Sequence, residues 1–200
     1  MPEPVSSVAP NSVVIENLVK RFGDFVAVDR LNLEVGKGEV FGFLGPNGAG
    51  KSTTMRMLCG LLRPTSGSAQ VAGFDVGRKP EAVRQHIGYM SQKFSLYNDL
   101  KVIENLRLFA GLYSVPSAKL KDRIEWALEM ANLKGHEDLI TGTLPGGWKQ
   151  RLALGCAVLH QPAILFLDEP TSGVDPISRR RFWDLIHHMA EDGVTVFVTT

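Results

Sequence analysis

The stretch Gly45-Pro46-Asn47-Gly48-Ala49-Gly50-Lys51-Ser52, with Thr53 behind it, constrains the fold more than any other feature of the sequence. It follows the apolar run Val40 to Leu44, which reads as a strand, and leads into Lys51 to Leu62, which reads as a helix. In that order the three parts bring successive backbone N–H groups and the positive end of a helix to one point, which is what a phosphate chain requires. The glycines allow the backbone to curl. Lys51 is placed to reach the β- and γ-phosphates, and the Ser52 hydroxyl suits Mg²⁺. A bare glycine turn would explain the curl but would have no use for the Lys-Ser pair.

A phosphate loop of this kind needs acidic groups at the end of a neighbouring strand. Asp168-Glu169 directly follows the continuous apolar run Ile164-Leu165-Phe166-Leu167, the pattern of a parallel strand covered on both faces by helices. Asp168 is positioned to hold Mg²⁺ through water, and Glu169 to polarise a water that attacks the γ-phosphorus. By itself, Asp-Glu-Pro could be a polar turn closed by Pro170. Beside the phosphate loop it reads as the second half of a nucleotide site.

The chain has 200 residues, enough for one domain with an inserted subdomain. Residues 1–11, rich in Pro and Ser, read as a tail or linker. Val13 to Ile15, Phe25 to Val28 and Leu31 to Val35 are short β-like runs, with turns at Gly23-Asp24 and Gly36-Lys37-Gly38 that suggest antiparallel hairpins. From about Leu100 to His160 the chain reads as mainly helical; in Ala118 to Ala131, Leu120, Ile124, Leu128 and Ala131 share one face. Asp175-Pro176 offers an N-cap with proline at the first helical position, ahead of a helix burying Phe182, Leu185, Ile186 and Met189. Val194 to Thr200 reads as another strand. With 22 Lys and Arg against 21 Asp and Glu the net charge is +1, so no global field draws in nucleic acid. Cys59 and Cys156 form no CxxC pair, which suggests neither a disulfide framework nor a zinc site and fits a reducing cytoplasm. No apolar run approaches the ~18 residues of a membrane helix, and no export signal opens the chain.

Beyond these two motifs, three further stations occur in order along the chain: Phe22 in Lys20-Arg21-Phe22-Gly23, Gln92 in Tyr89-Met90-Ser91-Gln92, and Ser172-Gly173-Val174-Asp175. With them, residues 12–200 resemble an ATP-binding cassette (ABC) nucleotide-binding domain. The resemblance implies an α/β fold: a P-loop NTPase core, mainly a parallel sheet flanked by helices, with an N-terminal antiparallel β subdomain and an inserted helical subdomain at about 93–160. It implies that Phe22 stacks on adenine, that Gln92 senses Mg²⁺ and the attacking water, and that Asp175 lies in the loop through which paired domains sense one another. On this reading ATP and Mg²⁺ are the ligands. Gly45 to Thr53 hold the phosphates, Ser52, Gln92 and Asp168 surround the metal, and Glu169 and Gln92 are catalytic.

Where relatives usually read Leu-Ser-Gly-Gly-Gln, this chain reads Leu144-Pro145-Gly146-Gly147-Trp148. In the family this segment opens a helix aimed at the γ-phosphate held by an opposing domain, so that ATP is sandwiched head to tail. Gly146 and Gly147 can still offer N–H groups, but Pro145 brings neither a hydroxyl nor an N–H. Slower hydrolysis is expected at that site. The variant resembles the second half of fused bacterial exporters with two unequal ATPase halves. The family's switch histidine would follow the last strand, where the sequence stops at Thr199-Thr200, so the sequence reads as a C-terminally truncated piece that binds ATP and hydrolyses it poorly alone.

Gly73-Phe74-Asp75-Val76 and the stretch Gln92 to Leu106 look more like drug, antibiotic or polysaccharide exporters than importers. The implied partners are a second nucleotide-binding domain (identical, homologous or fused) and transmembrane permease subunits, which Phe94, Leu96, Tyr97 and Leu100 are candidates to touch. The implied location is the inner face of the cell membrane. A non-transport cassette working on ribosomes or RNA is the rival, and a regulatory ATP-binding half with weak catalysis is a third reading.

Overall fold

A computed structural model describes residues 11–92 and 95–200. Residues 1–10 of the expected tail, and Phe94, lie outside them.

Two sheets form. The first is antiparallel: β1 (Val13–Phe22) pairs with β2 (Phe25–Val35) and, on its other side, with β4 (Ser66–Val71), which carries the short β5 (Phe74–Asp75). The sequence breaks β2 at Asp29-Arg30, but the strand runs through. Arg30 takes a φ of 43° and Asn17, across the hairpin, 47°, so the extra backbone is absorbed as register shifts within the ladder.

The second sheet is parallel, in the order β3 (Val40–Phe43), β8 (Thr195–Thr199), β7 (Ile164–Asp168), β6 (Ile87–Met90). β7 and β8 are buried at every position, as two-sided helix cover requires. The register aligns the carboxyl ends: Phe43 lies opposite Thr199, and Thr199 opposite Asp168.

Helix α1 (Lys51–Leu58) stops short of the expected Leu62. Gly60 takes a φ of 66°; its N–H donates to Met57 O at 3.0 Å and Leu61 N–H to Arg56 O at 2.9 Å. That pair of bonds is a Schellman cap, which ends the helix whatever the apolar content of Leu61 and Leu62. A short helix, α2 (Pro80–His86), leads into β6.

The region read as helical contains α3 (Val102–Leu112), α4 (Ser117–Met130), a 3-10 turn at Thr141–Thr143 and α5 (Gly146–Val158). Ile124, Leu128 and Ala131 are buried as their shared face predicts, in a cluster with Val102, Leu106 and Leu133. α5 is buried all round from Gln150 to Val158. Its Leu152 and Cys156 pack into the helical cluster, while Ala153, Leu154 and Ala157 pack against Leu165 and Leu167 of the parallel sheet. α6 (Pro176–Glu191) covers that sheet with Phe182, Ile186 and Met189; Leu185 is only half-buried. Among the described residues, no helix is long and apolar enough to cross a membrane.

Candidate functional site

The loop after β3 carries Gly48 at a φ of 84° and Gly50 at 82°, values that favour glycine. At Gly50 the requirement is double, because a Cβ there would run into the Ala27 carbonyl of β2. The loop is thus pressed against the antiparallel sheet. Gly50 is also the N-cap of α1 and offers no side-chain acceptor, so the first-turn N–H groups remain available to an anion. Lys51 is 6% exposed, and its ammonium donates to the Gly45 and Pro46 carbonyls at 2.5 and 3.1 Å. The cation is therefore held inside the curl of the loop. Open N–H groups, a helix dipole and a confined ammonium fit a phosphate chain.

At the end of β7 the Asp168 carboxylate is buried and shared: its Oδ1 accepts from Ser52 Oγ at 3.2 Å and from Thr199 Oγ1 at 2.7 Å. The same Thr199 oxygen accepts the N–H of Glu169 at 3.0 Å. Glu169 takes a φ of 47°, a conformation that costs about 1–3 kcal/mol for a residue with a side chain. Its surroundings over-determine it. Beyond the Thr199 bond, Glu169 Oε2 accepts from Gln92 Nε2 at 2.8 Å, and Gln150 Nε2 donates to the next carbonyl, that of Pro170, at 2.6 Å. The Asp168 charge reaches into the core below. Burial, then Asp168, push the Cys59 thiol far up, and the same influences together with Cys59 push the Tyr89 phenol up to about 12. Neither group ionises near neutrality.

A polar cavity of about 510 Å³ lies over the loop, lined by Phe25, Ala27, Asn47, Gly48, Gly50, Lys51, Ser52, Thr53, Gln92 and Glu169. A smaller one, about 250 Å³, continues past Asn47 and Glu169 to Thr171, Ser172, Arg179 and Thr199. The carboxyl ends of parallel strands are where open α/β sheets take their ligands. Ser52 and Asp168 supply the hard oxygen donors that Mg²⁺ prefers, with Gln92 one hydrogen bond away through Glu169.

The structure thus brings together the loop, Ser52, Gln92, Asp168 and Glu169. Phe22 does not itself line the cavity: it lies at the hairpin end paired with Phe25, half exposed, with the Lys20 ammonium 5.1 Å over its ring. Phe25 and Ala27, not singled out from sequence, line the cavity instead. Thr199 was also missed. A hydroxyl near the end of an apolar run does not reveal its partner, because only the sheet order places this strand beside the one ending in Asp168.

Gly146, Gly147 and Asp175 line neither cavity. Pro145 is the N-cap of α5 and supplies no side-chain hydrogen bond, as its chemistry demands. Gly146 faces open space, whereas Gly147 is buried and a Cβ on it would collide with Ser178 of α6. Gly147 therefore lets the N-termini of α5 and α6 approach. Asp175 caps α6, accepting from Ile177 N–H at 3.1 Å and Ser178 N–H at 2.9 Å; the Ser178 bonds, first among its partners, hold its carboxyl below the usual range. Trp148 packs on His136, ring centroids 4.7 Å apart.

Comparison with known proteins bears on this arrangement. Residues 28–172 match the family model described as ABC transporter. The chain is 55% identical over 193 residues to the probable multidrug ABC transporter ATP-binding protein YbhF of Escherichia coli K12, covering 96% of this chain and 33% of that protein. It is 40% identical to the Nod factor export ATP-binding protein I of Cupriavidus metallidurans (93% of this chain, 61% of the relative) and 39% identical to the daunorubicin resistance ATP-binding protein DrrA3 of Streptomyces coeruleorubidus (96% and 61%). The chain therefore spans between a third and three fifths of these relatives' lengths. Among solved structures, cbiO1 of Clostridium perfringens, described as part of the cbiONQ transporter complex, superposes with a TM-score of 0.84 at 28% identity, covering 95% of this chain and 78% of that one. The cassette MJ0796, solved as a dimer in a post-hydrolysis state with ADP and Pi, gives 0.83 at 28% identity, covering 94% and 87%. Fold, loop, acidic strand end and kinship agree: the chain belongs to the ABC transporter family.

Proposed function

We propose that this chain is the ATP-binding and hydrolysing domain of an ABC exporter. The observation that carries the reading is the hydrogen-bonded set Ser52–Asp168–Thr199–Glu169–Gln92, assembled beside a loop whose open N–H groups and enclosed lysine suit phosphates. Gly45 to Thr53 cradle the triphosphate, with Lys51 swinging from the Gly45 and Pro46 carbonyls to the β- and γ-phosphates. Phe22 offers a ring face for adenine, with Phe25 beside it. Ser52, Asp168 and Gln92 would hold Mg²⁺, which when bound neutralises charge on the phosphates. Glu169 orients a water and accepts its proton as the water oxygen attacks the γ-phosphorus, and the bond to the β–γ bridging oxygen breaks to leave ADP.

Gly146 and Gly147 lie away from the chain's own cavity, which supports a head-to-tail pairing in which they face the γ-phosphate of a second nucleotide-binding domain. Asp175 lies beside them, next to the Ser178 that Gly147 touches. Membrane permease subunits are the second partner, met through the segment around Leu96, Tyr97 and Leu100, and the protein works at the inner face of the membrane. The export direction rests on the relatives named for multidrug transport, Nod factor export and daunorubicin resistance.

In the intact protein, Glu169→Gln should retain ATP binding, abolish most turnover and accumulate an ATP-bound dimer. Gel filtration with and without ATP reads the dimer; no enhancement would remove Glu169 from the role of base. The uncapped Pro145 favours a second reading, a regulatory half with weak catalysis. A parent turnover no faster than that of Glu169→Gln would support it.

A further inference from the structure

Gln150 opens the second turn of α5, shortly after the two glycines, and is fully buried. Its Nε2 donates to the Pro170 carbonyl at 2.6 Å, while its Oε1 has no partner among the described residues. As a stabilising contact this is poor chemistry. The orphaned acceptor carries a desolvation cost comparable to what the one hydrogen bond returns, so an apolar side chain of equal length would serve packing as well.

What the bond does have is a strategic position. Pro170 closes the turn in which Glu169 adopts its left-handed backbone. Thr199 holds the start of that turn from β8, and Gln150 holds its end from α5. With one anchor removed, the backbone is freer to relax towards an ordinary φ, and the Glu169 carboxylate would move with it.

We propose that Gln150 is a positioning residue for Glu169, tying the general base to the glycine-led helix of the same chain so that the carboxylate follows α5. The inference rests on the reading of Glu169 as the base.

The test uses the intact ATPase in four forms: parent, Gln150→Met, Glu169→Gln and the double variant. Thermal unfolding, labelled MgATP binding and turnover at saturating ATP are measured for each. Gln150→Met should melt with the parent and bind MgATP with the same Kd, yet lose about ten- to a hundredfold in kcat, the scale expected when a reacting group is misplaced by roughly an ångström. In the Glu169→Gln background the same substitution should leave the residual turnover unchanged, because no base remains to be positioned. A purely structural role would instead lower melting temperature and turnover in both backgrounds. Gln150→Leu serves as a second donor-free variant. Unchanged kcat in Gln150→Met, an equal loss in both backgrounds, or failure of both apolar variants to fold would overturn the proposal. Full turnover in Glu169→Gln alone identifies a different failure, that of the base assignment, and the proposal falls with it.

Discussion

Thr199 joins the two acidic residues of the site with a single hydroxyl, donating to Asp168 and accepting from the Glu169 N–H. Thr199→Val keeps the shape and removes the hydroxyl. We expect it to cost about 1.5–3 kcal/mol of stability, the range for hydrogen bonds to charged groups, and to lower kcat by roughly ten- to a hundredfold through misplacement of Glu169. Thr199→Ser should restore both. Parental turnover in folded Thr199→Val, measured alongside urea denaturation, would show that the bridge is dispensable. The phosphate loop, Asp168 and Glu169 were legible in the sequence because each belongs to a local pattern, glycines ahead of a Lys-Ser pair or carboxylates ending an apolar run. Thr199 and Gln150 carry no such pattern. Their roles come from strand register and from a helix packed across the sheet, which distant parts of the chain create. Phe22 was legible as an aromatic in a family motif, whereas its cross-strand partner Phe25, which lines the cavity, belongs to no such motif.

At the scale of elements, the clearest readings were those with strong periodicity or a cap: α4 by its apolar stripe, α6 by Asp175-Pro176, β7 by its unbroken hydrophobicity. β4 and β6 went unread for a physical reason. Ser66-Gly67-Ser68 is too polar and flexible to announce a strand, and Gly88 breaks the apolar run of β6. Gly88 is there because a Cβ would strike the Ala157 carbonyl, so α5 lies directly on β6. The same junction holds a titratable group. His160, just past α5, stacks on Tyr113 at 3.9 Å, and its Nε2 meets the Ile87 carbonyl at 3.0 Å. Nε2 must then carry the proton, leaving Nδ1 bare and, as found, buried without a partner. Burial, with the Arg123 and His86 charges, holds its pKa below the usual value, although the Ile87 bond acts the other way. A histidine whose pKa is depressed on folding takes up its proton more readily when unfolded. Its contribution is intact above the unfolded pKa of ~6.5 and declines as pH falls below that value. Urea midpoints compared at about pH 7.5 and about pH 5.5 should fall less on acidification in His160→Gln than in the parent. Equal falls would mean that the junction does not sense the proton.

At the scale of the molecule, the described residues form three buried clusters, and α5 joins two of them. Val28 and Val35 of the antiparallel sheet share the first cluster with Met55 and Leu58 of α1, which fixes the loop between the two sheets. The helical cluster gathers around Leu106, Leu133 and Leu152, and α5 carries it to the edge of the acidic turn. On the proposed reading one surface takes the phosphates and another presents the Gly146 end of α5, with the buried α5 between them. The account stands or falls on whether the loop around Lys51 takes a triphosphate. Titration of the folded protein with labelled ATP and Mg²⁺ tests this directly. We predict saturable binding that Lys51→Ala abolishes while leaving the fold intact by circular dichroism; no saturable binding, or binding of equal affinity in Lys51→Ala, would contradict it.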